Sequence, residues 1–154
     1  MVGGLYIILA GLFLFITAGI GIMIAQAFGR RIIAEEIVLS SLPVAFEGFR
    51  ILFITDIHRR RLPSNLLSPL KDNIDAVFVG GDMTEKNSPL ERLSDNMALL
   101  ASIAPVYAVH GNHDYRANIT IVDNIIRDKG VRLLLDENEA IEKDNATLWL
   151  TGVD

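Results

Sequence analysis

Apolar positions along this chain fall into one long block and several short ones. From Tyr6 to Phe28, 23 consecutive residues carry no charge, and only Thr17 and Gln26 are clearly polar. At 1.5 Å per residue such a helix is roughly 34 Å long, enough to cross a hydrocarbon core of ~30 Å. A transmembrane helix is therefore predicted, with residues 1–31 as anchor and basic flank. Ala25-Gln26-Ala27 has the small-x-small form of a signal cleavage site. No Lys or Arg precedes the run, however, and it is longer than a usual signal core, so a retained anchor is favoured. Arg30 and Arg31 follow directly. The positive-inside rule then predicts a single pass through the cell membrane, with the rest of the chain on the cytoplasmic side.

The shorter blocks alternate between two periods. Ile51–Thr55, Ala76–Val79 and Val106–Val109 are continuous apolar or β-branched runs bounded by turn residues. They read as parallel strands buried on both faces. Between them, Leu90, Leu93, Met97 and Leu100 make the stripe of a helix, for which Ser88, Pro89 and Glu91 predict an N-cap, a first helical residue and a capping box. A short helix is expected over 64–73. Another is expected over 118–129, with Ile119, Val122, Ile125 and Ile126 inward and Gly130 as its C-terminal cap. Residues 131–135 and 147–152 read as further strands. Residues 32–49 read as a linker, with an edge strand over 36–40 that ends before Pro43. Strands alternating with helices predict βαβ units in a domain over 50–154.

Composition narrows the chemistry. Apolar residues make up 51% of the chain, the excess being concentrated in its first thirty positions, and the net charge is −5. An acidic balance argues against nucleic acid as a partner. The absence of cysteine leaves oxygen and imidazole as the only ligands for a metal.

Each of the first three strands ends in residues of that kind: Asp56-Ile57-His58, Gly80-Gly81-Asp82, and His110-Gly111-Asn112-His113-Asp114. Ligands gather outside the carboxyl ends of parallel strands. Asp56 and His58, two residues apart at a strand mouth, are placed to clamp one cation, and Asp82 on the next strand can bridge two. Asn112 offers an amide oxygen suited to Mn, Fe, Zn or Mg. Asp114 is placed to orient His113. Two cations with a bridging hydroxide make a nucleophile for in-line attack on phosphorus, with an imidazole serving as general acid or charge stabiliser. Taken singly, each residue has an ordinary reading as a helix cap or turn former. Arg59, Arg60 and Arg61 read as a solvated loop rather than as an anion site.

Together, Asp56-x-His58, Gly81-Asp82 and Gly111-Asn112-His113-Asp114, in this order and each at a strand end, resemble the calcineurin-like metallophosphoesterases. Leu42-Pro43, Gly48-Phe49-Arg50-Ile51 and Thr151-Gly152-Val153-Asp154 extend the likeness to the membrane-anchored bacterial branch, over 37–154. The resemblance implies an α/β fold, namely the N-terminal half of an α/β/β/α sandwich behind one transmembrane helix. It also implies a two-metal site: Asp56 and His58 on the first ion, Asp82 bridging, Asn112 on the second, and His113 acting on the phosphoryl group. The substrate implied is a phosphoester, and tethering beside a bilayer adds lipid-linked phosphoesters to the candidates. The family completes its site with three later histidines, two of them in a His-x-His, whereas this chain has only His58, His110 and His113. A truncated chain with an incomplete site is therefore expected. The alternative is a non-catalytic, membrane-anchored relative that serves as an interaction module or remnant.

Overall fold

The computed structural model describes residues 2–27, 29 and 31–153. Phe28 at the end of the predicted span, Arg30 of its basic flank and Asp154 lie outside the described residues. The chain divides into two compact units, one up to Leu39 and one from Ser40 onward.

The first unit is built on helix α1, Val2–Ala27, 26 residues long. Its stretch Tyr6–Gln26 is long and apolar enough to cross a membrane. Thr17 turns its hydroxyl back onto the carbonyls of Phe13 and Leu14, at 3.0 Å each, so this hydroxyl in the middle of the stretch is satisfied within the helix. Residues 32–39 form no strand, contrary to the edge strand expected over 36–40. They are exposed, and they pair with no strand among the described residues.

The second unit is a mixed α/β structure. Strands β1 (Ile51–Ile54), β2 (Ala76–Val79), β3 (Val106–Ala108) and β4 (Arg132–Leu133) form one parallel sheet in chain order. Val77, Val79, Val106, Ala108 and Leu133 turn one face of it into the core. They meet Leu93, Met97 and Leu100 of helix α3 (Leu90–Ala101) and Val122 and Ile126 of helix α5 (Ile119–Asp128). Between β1 and β2 a short helix α2 (Ser64–Leu67) passes into a 3-10 turn over 68–70, so the helix predicted over 64–73 is broken. Pro69 is the reason, since it has no N–H to continue the α ladder.

Burial on both faces, as predicted for the first strand, is not found. Burial alternates along β1, and Ile51 and Phe53 are 43% and 64% exposed. Phe53, Phe78 and Tyr107 are register partners across three strands, and the last two rings meet edge to face at 5.8 Å. Burial, then the Glu139 carboxylate, hold the Tyr107 phenol above its ordinary pKa.

Three boundaries differ from expectation or refine it. Helix α3 starts at Leu90 behind Pro89, with no side-chain cap, and the Ser88 hydroxyl is buried without a hydrogen bond. Asn87 is left-handed and Pro89 extended, which places Ser88 one residue too early to cap. At the other end of α5, Gly130 (φ +75°) donates to Arg127 O at 2.9 Å and Val131 to Ile126 O at 3.3 Å. These are the two bonds of a Schellman cap. Strand β5 (Glu137–Lys143) was not legible as a strand; it pairs antiparallel with β6 (Ala146–Gly152) through a turn at Asp144 and Asn145, both at positive φ. This pair of left-handed residues is a type I′ hairpin turn.

Candidate metal centre

At the carboxyl ends of β1, β2 and β3, loops are drawn together by backbone bonds. Asp56 N donates to Gly81 O at 3.3 Å, His58 N to Asp82 O at 2.9 Å, and Val109 N to Val79 O at 3.1 Å. Glycine is required where two of these loops meet. Gly81 has φ +89°, and a Cβ there would lie 2.7 Å from Gly111 N. A Cβ on Gly111 would in turn strike the carboxylate and amide of Asp82.

The convergence of Asp56 and His58 arises differently from the strand alternation expected. Both lie beyond β1, and both are left-handed, at φ 56° and 51°, as is Asp82 at 53°. Non-glycine residues in that region cost about 1–3 kcal/mol each and persist only where the surroundings hold them. The result is a tight group. His58 Nε2 lies 3.6 Å from Asp56 Oδ1 and 3.8 Å from Asp82 Oδ2. One ligand atom from each of the three falls within 4.8 Å of the others, a spacing able to hold a metal ion.

Sequence reasoning missed Glu85. Its Oε2 lies 3.5 Å from His58 Nδ1 and 3.9 Å from His113 Nδ1, and its Oε1 is bonded by Arg59 Nε. His58, Glu85 and His113 thus form a second metal-competent group, and the two imidazoles meet edge to face at 4.7 Å. His58 Nδ1 is buried with no hydrogen bond, and Glu85 is the carboxylate beside it. The only signal in the sequence was a carboxylate three residues after Asp82 on a loop without periodicity.

Asn112 and His113 open a five-residue helix, α4 (Asn112–Arg116), rather than ending a strand. Asn112 is exposed there, and the backbone N–H of His113 donates to Asp82 Oδ1 at 2.9 Å. The orienting role expected for Asp114 is corrected. Its carboxylate, fully buried, accepts from the backbone N–H groups of Thr84 at 2.9 Å, Gly111 at 2.9 Å and Met83 at 3.3 Å. Asp114 therefore fastens the β2 loop to the β3 loop and closes the first turn of α4. His110 is held between Asp123 (2.9 Å) and Tyr115 (3.2 Å), turned toward α5. Of the three arginines, Arg59 is bound to Glu85 and Arg61 to Asp95 at 3.0 Å.

Carboxylates with imidazole, and no thiolate, suit hard and borderline divalent cations. The sequence profile of the calcineurin-like phosphoesterases matches residues 49–150. The chain belongs to that family. Among its relatives is Uncharacterized protein YpbG of Bacillus subtilis, 31% identical over 106 residues, covering 68% of this chain and 41% of that protein. Phosphodiesterase YaeI of Escherichia coli is 27% identical over 115 residues, 68% of this chain and 43% of the relative. A Danio rerio transmembrane protein with metallophosphoesterase domain is 26% identical over 156 residues, 92% of this chain and 35% of the relative. The chain thus spans less than half the length of each of these curated relatives. As a calcineurin-like phosphoesterase it carries a phosphoesterase domain behind an apolar N-terminal helix.

Proposed function

We propose that this chain carries the first ligands of a two-metal centre and hydrolyses a phosphoester with Mn, Fe, Zn or Mg. In this reading Asp56 and His58 hold one ion, Asp82 is shared, Asn112 gives its amide oxygen to the second, and His113 faces the phosphoryl group. The observation that carries the reading is the orientation of His58. Its Nε2 points between Asp56 and Asp82, and its buried Nδ1 lies beside Glu85. With its proton on Nδ1, on the side of that carboxylate, His58 has the Nε2 lone pair free for a cation. The same carboxylate approaches His113 Nδ1, which leaves the far nitrogen of His113 for substrate oxygen. Bound ions would supply a nucleophile at neutral pH and neutralise phosphoryl charge.

Tyr6–Gln26 then serves as a single-pass anchor in the cell membrane, with a linker over 32–49 and the domain over 50–154 on the cytoplasmic side. Phosphoesters carried on lipids are the substrates that such tethering favours. Purified in detergent and assayed with manganese on an aryl phosphodiester, the chain is expected to turn over. Asp82→Asn is expected to abolish that turnover, and equal rates in the two proteins would remove this centre from consideration. In sealed inside-out vesicles, protease should cleave the domain; protection there reverses the orientation.

A second reading, a non-catalytic interaction module, draws on the exposed Ile51 and Phe53 of β1. Absence of both manganese uptake and turnover would favour it.

A further inference from the structure

Helix α3 carries one buried polar side chain in its apolar stripe. Asn96 is 2% exposed, beside the buried Leu93, Met97 and Leu100. A hydrocarbon would serve the packing equally well, and a buried amide is costly unless its hydrogen bonds are made. Both are made to one short segment. Asn96 Oδ1 accepts from Leu62 N and Asn96 Nδ2 donates to Arg60 O, each at 2.9 Å. One turn earlier Arg92 Nη1 donates to Arg59 O at 2.8 Å. The helix therefore grips the peptide groups immediately after His58.

We propose that Asn96 is a positioning residue that holds His58 in its left-handed turn, with Nε2 presented to Asp56 and Asp82. The importance of His58 rests on the metal-centre reading above; the mechanical link does not. His58 is fixed on its leading side by the buried side chain of Ile57 and by its own N–H to Asp82 O. On its trailing side the turn is closed by Arg60 N to Ile57 O at 2.9 Å. Without an anchor beyond Arg60, the strained φ of His58 is free to relax by rotating the peptides that follow. An amide presents an NH2 donor group and a C=O acceptor in one plane, matching the Arg60 C=O and the Leu62 N–H two residues on. Aspartate lacks the donor and leucine lacks both, although leucine has the same number of side-chain heavy atoms with the same branching.

The test compares the full chain with Asn96→Leu, and with Met97→Ala as a variant of the same helix that loses packing but keeps the amide. Hydrogen exchange of the His58 amide, which needs no metal, is the first readout. Asn96→Leu is expected to speed that exchange at least about tenfold, at a global stability no lower than that of Met97→Ala, whose His58 amide stays protected. Manganese affinity by calorimetry is the second, expected to fall about 10–100-fold in Asn96→Leu only. Unchanged His58 exchange, or equal acceleration in both variants, would overturn the proposal. Failure of the parent chain to bind manganese would count against the metal centre, and the exchange result would still decide the role of Asn96.

Discussion

Asp114 shows how much of this centre is held by backbone rather than by ligand. Three N–H groups from two loops end on one buried carboxylate. Asp114→Ala leaves them without an acceptor, and hydrogen bonds to charged groups contribute about 1.5–3 kcal/mol each. A loss of about 3 kcal/mol or more is expected in urea unfolding followed by circular dichroism; a loss under about 1 kcal/mol would mean that solvent replaces the carboxylate. At this scale the sequence was partly legible. Asp56, His58 and Asp82 stood out because scarce residue types followed each apolar run, and the structure gathers them. Glu85 and Asn96 did not stand out. Glu85 acts from an aperiodic loop. Asn96 looks like one polar position in a helical stripe until its backbone partners, over thirty residues earlier, are known. Asp114 was noticed for the wrong reason, since adjacency to His113 says nothing about where a carboxylate on a tight turn points.

At the scale of elements, periodicity located strands and helices better than caps. Beyond α5, Gly130 at φ +75° has open space where a Cβ would go. Gly130→Ala therefore meets no clash and isolates the left-handed backbone penalty, about 1–2 kcal/mol. A drop of that size in thermal stability is expected, without change in manganese uptake, and no drop would mean that the cap relaxes at no cost. The capping box at Ser88 failed because a left-handed Asn87 and an extended Pro89 reset the start of α3. Strand β5 was invisible for a different reason. Glu137-Asn138-Glu139 carries little strand propensity, and the strand exists because β6 and the Asp144-Asn145 turn pair with it.

For the whole molecule, one side of the parallel sheet is packed by helices and the other carries Ile51, Phe53, Phe78 and Tyr107. Both faces of parallel sheets are normally covered, and β1 is also an edge strand. Phe53→Lys is expected to reduce self-association of the detergent-solubilised chain in light scattering while leaving its circular dichroism unchanged. Unaltered association would show that this face takes no part in it.

The order of the sheet also bears on synthesis. Because β1, β2, β3 and β4 lie side by side in the sequence in which they are made, each newly emerged strand finds its neighbour already in place. Asp56, His58, Asp82 and His113 all precede α5 and the hairpin. Synthesis therefore delivers these four side chains ahead of the segments that pack around them, and this part of the rim can begin to gather while later segments are still being made.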